Sequence, residues 1–158
     1  MLAPKLIEEG LANNKKYKVA IIPHFKEQNH SFFAQLAKEL DGSKLIDLRD
    51  EPHHVVEQIA QSELVISSSL HGLIVADSFR VPNLHLVVTN KLLGDGFKFD
   101  DYYSAYGLSH EYISFDEIND ISKIPEMINN SYRITDEMVS EMQKNMIEAF
   151  PFNKDEGE

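Results

Sequence analysis

Leu64-Val65-Ile66-Ser67-Ser68-Ser69-Leu70-His71-Gly72-Leu73-Ile74-Val75-Ala76-Asp77 decides how the chain folds. Leu64 to Ser67 is a short apolar run with β-branched residues, which predicts a buried strand. It runs straight into a helix expected from about Ser69 to Phe79. Upstream, Lys18-Val19-Ala20-Ile21-Ile22 reads as another buried strand, stopped by Pro23, which has no N–H to give a ladder. Phe32, Phe33, Leu36, Ala37 and Leu40 then recur at helical spacing, and Gly42 stands where that helix would end. Lys44 to Leu48 is a further strand, and Pro52 opens a helix whose inner face is Val55, Val56, Ile59 and Ala60. Downstream, a turn at Arg80-Val81-Pro82 leads to a fourth strand, Leu84 to Val88. Strands alternating with helices through short loops predict βαβ units. The expected fold is a three-layer, Rossmann-like α/β domain with a mainly parallel sheet.

The flanks read less regularly. Residues 1–16 are polar and are expected to be a linker or an N-terminal helix, with Leu2, Leu6, Ile7 and Leu11 on one face. From Thr89 to Gly107 the alternation breaks at Gly94-Asp95-Gly96 and the aromatics Phe97, Phe99, Tyr102, Tyr103 and Tyr106. A long, aromatic-rich loop of this kind is expected to be functional. Tyr112 to Phe115 suggests a fifth strand, and Ile118–Ile128 and Thr135–Phe150 suggest closing helices, the second capped by Thr135. The domain is expected to span 17–150, with 151–158 a flexible tail.

The chain of 158 residues is 42% apolar and carries 15 basic against 26 acidic side chains, a net charge of −11. A single domain with its own core is expected at this size. Such acidity disfavours general binding to nucleic acid or anionic membranes. The excess is uneven: residues 1–80 have a net of −2 and residues 81–158 a net of −9. A small-anion site is therefore easier to build in the first half. The absence of Cys removes disulfides, thiolate metal sites and thiol nucleophiles. Met1-Leu2-Ala3-Pro4-Lys5 lacks the apolar core of a signal peptide, and no run approaches a membrane span. A cytoplasmic protein without a transmembrane segment is expected.

Open parallel sheets bind ligands beyond the carboxyl ends of their strands. Pro23-His24-Phe25-Lys26, Arg49-Asp50, Ser67 to Gly72 and the Thr89–Gly107 segment project there. The third places three hydroxyls and an imidazole at a helix N-terminus, where backbone N–H groups and the macrodipole favour a carboxylate or phosphate. Gly72 would let a ligand approach the backbone. The same serines also suit plain helix capping, and His71 a structural role. His24, His30, His53 and His54 lack the spacing of a metal site. Tyr102, Tyr103 and Tyr106 either stack on sugars or pack a helix onto the core. Glu137 and Glu141 read as a solvated helix face.

Four ordered segments carry a resemblance: Pro23-His24-Phe25, Glu63 to Asp77, Val81-Pro82-Asn83, and Gly96-Phe97-Lys98-Phe99-Asp100-Asp101-Tyr102-Tyr103. Together, across Tyr17 to Ile113, they resemble the polysaccharide pyruvyltransferase family, in particular its exopolysaccharide ketal-pyruvate branch. The resemblance implies one lobe, the C-terminal one, of a two-lobed fold of the glycosyltransferase-B kind. Its implied activity moves the enolpyruvyl carbons of phosphoenolpyruvate onto sugar hydroxyls. Many members carry Arg where this chain has Ser69, and the ketal-pyruvate branch resembles this chain in having serine there.

Ketal formation needs a proton donor for the enol CH₂ carbon and hydrogen-bond donors for one carboxylate and one phosphate. No cofactor or metal is required in principle. His71 is the expected general acid or donor ligand, and Ser68 and Ser69 the expected anion donors. Leu70 and Gly72 belong to the same binding segment, with Lys98 as phosphate partner and His24 on the opposite wall. Lys98 has a second reading, as a loop lysine paired with Asp100 or Asp101. The expected partners are phosphoenolpyruvate and a sugar or lipid-linked oligosaccharide, with the other wall of the cleft from an N-terminal lobe or a second copy. Two alternatives stand beside this: a nucleotide-sugar glycosyltransferase lobe, with Asp116 or Glu117 gripping a ribose, and a non-catalytic binding or assembly module.

Overall fold

In strand β1 (Tyr17–Ile22), Val19 and Ile21 join one buried cluster while Ala20 and Ile22 join another. This is the two-residue alternation of a strand covered on both faces. The computed structural model describes residues 1–89 and 96–149. After β1 come α1 (Ser31–Glu39), β2 (Ser43–Leu45), α2 (Pro52–Ala60), β3 (Ser62–Ser67), α3 (Leu70–Ser78) and β4 (Asn83–Val87). Then follow α4 (Gly96–Ser104), β5 (Ile113–Ser114), α5 (Ile124–Ser131) and α6 (Asp136–Glu148). All neighbouring strands pair in parallel, in the order β2-β1-β3-β4-β5.

The three layers follow from the side chains. Phe32, Phe33 and Leu36 of α1 and Ile124 and Ile128 of α5 cover one face with Val19, Ile21, Ile66 and Leu86. Val55 and Ile59 of α2 and Ala76 of α3 cover the other with Ala20, Ile22, Ile46 and Val65. Both helices flanking β1 are capped by side chains: His30 accepts from the Phe32 N–H, and Glu51 from the His54 N–H. The three-layer parallel α/β fold is the one expected.

A third cluster ties down the carboxyl-terminal elements. Tyr103, Ile134 and Val139 are buried together, with Met1, Tyr102 and Tyr132 packed against them. Beside them sits Asp77 of α3, fully buried. It accepts from Asn83 Nδ2 at 2.6 Å, Tyr102 Oη at 2.7 Å and Tyr132 Oη at 2.9 Å. Tyr102 and Tyr103 therefore pack α4 onto the body. Burial raises the Asp77 carboxyl to about 6, against the lowering effect of these bonds.

The flanks depart from expectation in three places. Residues 1–16 form two single 3-10 turns, Ala3–Leu6 and Leu11–Asn13, instead of one helix or a bare linker. Gly10 between them has φ of +86°, a left-handed geometry that interrupts any continuous helix. The expected loop Thr89–Gly107 contains helix α4; its residues 90–95, including Gly94-Asp95, lie outside the described residues. The expected helix Ile118–Ile128 is split into a 3-10 turn, Ile121–Lys123, and α5. Pro125 explains the split, because proline suits a first helical turn but would clash inside a longer helix. Thr135 caps α6 through the Met138 N–H as expected; Phe150 and 151–158 lie outside the described residues.

Candidate active site

The strand order reverses at β1, so the connection after β1 leaves toward one sheet edge and the chain after β3 continues toward the other. The crevice between their carboxyl ends is the switch point at which doubly wound sheets bind ligands. Pro23-His24 leaves β1 there, and Ser68-Ser69 leaves β3.

Hydrogen bonds lock the two exits together. The Ser68 N–H donates to the Ile22 carbonyl at 3.1 Å. Ser67, fully buried, has its Oγ 2.9 Å from the Ile22 carbonyl and receives the Ser69 N–H at 2.9 Å. Ser67 is thus a fastener. The Ser68 Oγ accepts from the His24 N–H at 2.8 Å, which leaves its own hydrogen to point at a ligand. Ser69 stands at the N-cap of α3, yet its side chain makes no capping bond. Helix α3 begins with N–H groups that the helix itself cannot satisfy.

His24, Ser68, Ser69, Leu70, His71, Lys98 and Phe99 surround one cavity of about 80 Å³. Ser68 and Ser69 are nearly fully buried at its base, while His71 and Lys98 are exposed at its rim. Gly72 lies elsewhere. A Cβ on it would stand 2.7 Å from Ser67 Oγ and 3.0 Å from Ile22 Cγ2, so glycine lets α3 press onto the sheet. Arg49 stands apart as well, its guanidinium held by Asp47 at 2.6 Å. Phe99 was legible only as part of an aromatic run; its burial on α4, one residue past Lys98, places it on the cavity wall.

The other candidates have local partners. His30 caps α1, and His53 pairs with Glu57 at 3.4 Å along α2. Glu117 Oε2 accepts the Ser114 N–H at 2.8 Å, which makes it part of a helix-capping box. Glu137 and Glu141 are exposed on α6.

Behind Phe99 lies a pair that sequence reasoning did not find. His85 of β4 stacks on Phe99 at 4.1 Å, and its Nδ1 lies 2.7 Å from Nε2 of His110. Burial pushes the His85 imidazole down to about 3, and proximity to His110 adds to this. Burial also lowers His110, against the opposing pull of Asp100 at 3.6 Å. The folded chain therefore refuses a proton on His85 that the unfolded chain takes below about 6.5. The stability this site contributes is complete above 6.5 and is lost as pH falls toward 3. In urea titrations, the advantage of the wild type over His85→Phe is expected to grow between pH 4 and pH 7. A constant difference would show that His85 is not the group responsible.

A family profile described as Polysaccharide pyruvyl transferase matches residues 5–90, which include His24 and the whole Ser67–Gly72 segment but stop short of α4. The succinoglycan biosynthesis protein ExoV of Rhizobium meliloti (strain 1021) is 31% identical over 96 residues, covering 61% of this chain and 29% of that protein. The uncharacterized protein L143 of Acanthamoeba polyphaga mimivirus is 30% identical over 97 residues, covering 60% of this chain and 34% of that protein. The chain thus spans about a third of the length of these curated relatives. No solved structure gives a significant match. Among the described residues, no helix is long and apolar enough to cross a membrane.

Proposed function

Because the chain belongs to the polysaccharide pyruvyl transferase family, we propose that it supplies the phosphoenolpyruvate-binding wall of an enzyme that builds pyruvate ketals on a cell-surface or exopolysaccharide. The observation that carries this reading is the cavity at the β1–β3 switch point, with two buried serines at its base and His71 and Lys98 at its rim. Phosphoenolpyruvate presents two anionic groups, a carboxylate and a phosphate. The start of α3 and the hydroxyls of Ser68 and Ser69 suit one of them, and Lys98 suits the other.

His71 gives a proton to the CH₂ carbon, and the double-bond pair forms the new C–H bond. The adjacent carbon becomes cationic, and an oxygen of the acceptor sugar attacks it. The C–O bond to phosphate then breaks, its electron pair leaving with phosphate. A second sugar hydroxyl closes the ketal. Of the two hydroxyl protons released, one restores His71 and one leaves with phosphate. The opposite wall of the cleft comes from a further lobe or a second chain. The reaction belongs in the cytoplasm, where phosphoenolpyruvate is available, on a sugar or lipid-linked oligosaccharide.

Titration of this chain with phosphoenolpyruvate, inorganic phosphate and nucleotide-sugars, followed by thermal shift, tests the reading. Stabilisation by phosphoenolpyruvate beyond that by phosphate is expected. Stabilisation by nucleotide-sugars alone would favour a glycosyltransferase lobe, and no response to any of them a binding or assembly module.

A further inference from the structure

Glu27 is a buried carboxylate with one of its two oxygens unpartnered among the described residues. It is only 6% exposed, and a turn in which its N–H donates to the His24 carbonyl at 2.8 Å fixes its place. Oε1 accepts from the Thr89 hydroxyl. Oε2 is shut away from solvent and meets no hydrogen-bond donor among the described residues. Burying such an oxygen without a partner is unfavourable, so its persistence calls for an occupant.

The room for one is present. Glu27 lines a cavity of about 20 Å³ with Ser68, His85, Thr89, Phe99 and His110. That is space for one water-sized group. Ser68 and Phe99 also line the His71 cavity, so the two spaces share a wall. An anion is excluded as occupant, because it would face the Glu27 carboxylate at close range. The occupant must donate a hydrogen bond and be small at its tip, with apolar surface behind the tip to set against Phe99, which lines both spaces. A hydroxyl on a sugar ring has this chemistry: O–H toward the carboxylate, C–H surface toward the aromatic wall.

We propose that Oε2 of Glu27 receives a hydroxyl of the acceptor sugar, making Glu27 an acceptor-binding residue beside the His71 cavity. The choice of a sugar rests on the reading above; the vacant oxygen does not. Only the hydroxyl enters the small cavity, and the ring stays on the His71 side. Donor and acceptor then meet along the wall formed by Ser68 and Phe99.

The test is an amide NMR titration of this chain with methyl α-glucopyranoside, methyl α-galactopyranoside and methyl α-mannopyranoside, and separately with phosphoenolpyruvate. The wild type is expected to bind at least one glycoside, with shifts at Ser68 and Thr89. Glu27→Gln removes the charge without changing shape, and Glu27→Asp withdraws it by one methylene. Both should weaken that glycoside at least tenfold and leave phosphoenolpyruvate affinity within twofold. Equal glycoside affinity in wild type and Glu27→Gln would overturn the assignment. So would silence of the wild type toward all three glycosides, the result expected if the cavity holds only water. A fall in phosphoenolpyruvate affinity matching that for the glycoside would also overturn it, by marking Glu27 as a structural support. Failure of the wild type to bind phosphoenolpyruvate counts against the donor reading alone, because the glycoside titration is read independently.

Discussion

His71→Ala is expected to lower turnover by about 10²–10⁴-fold, the usual contribution of a positioned acid, in a chain that carries both walls of the cleft. In this chain alone it should weaken phosphoenolpyruvate at least tenfold. The fold should be unaffected, because the side chain is exposed in the first turn of α3 and no hydrogen bond of the described residues depends on it. Phosphate release measured alongside far-UV circular dichroism separates the two effects. His71→Gln retains a donor without an imidazole's ability to give up a proton near neutrality. It should therefore restore part of the binding and little of the turnover. Wild-type rate and affinity in His71→Ala would remove the residue from the site.

The second large effect concerns stability. Asp77→Ala removes one buried acceptor from three donors at once, Asn83, Tyr102 and Tyr132, and opens a cavity where the carboxylate stood. A loss of about 3–5 kcal/mol is expected. For a chain of this size that is a fall in melting temperature of ~10 °C or more. Asp77→Asn keeps one oxygen and should lose less. Its comparison with wild type carries a pH signature. Burial raises the folded-state value to about 6, above the ordinary carboxyl value of 3.8, so between the two the folded chain holds a proton that the unfolded chain has released. The stability linked to that proton is complete below about 3.8 and disappears as pH rises through 6. The wild-type advantage over Asp77→Asn should therefore narrow from pH 4 to pH 7, the reverse of the trend at His85. A gap that widened would contradict the raised value.

The parallel α/β architecture was legible because its strands are continuous apolar runs and its helices keep strict spacing, as in Val19 to Ile22 and Phe32 to Leu36. The grouping of His24, Ser68, Ser69 and His71 followed from a general rule about strand ends and needed no side-chain detail. At Gly72 a glycine in sequence does not tell which side its missing Cβ would face; here it faces Ser67 and Ile22, a packing need that only the fold shows. Helix α4 was half legible: Tyr102, Tyr103 and Tyr106 are spaced to pack a helix onto the core, as they do, but Gly94-Asp95-Gly96 just before them favoured a loop. Glu27, His85 and His110 gave no signal for a simpler reason. They come from three separate parts of the chain, and only the folded sheet edge makes them neighbours.

The Asp77 knot joins the helix that bears His71 to the helix that bears Lys98, through Tyr102, one turn further along α4. It therefore fixes how the two helices sit against each other from a point outside the cavity that His71 and Lys98 line. Substitutions among its tyrosines would alter the gap between the imidazole and the ammonium without touching either. Laboratory evolution for a bulkier or slimmer ligand would be expected to accumulate changes at this knot before altering Ser67 and Ser68, whose hydroxyls are tied into the joint between two strands.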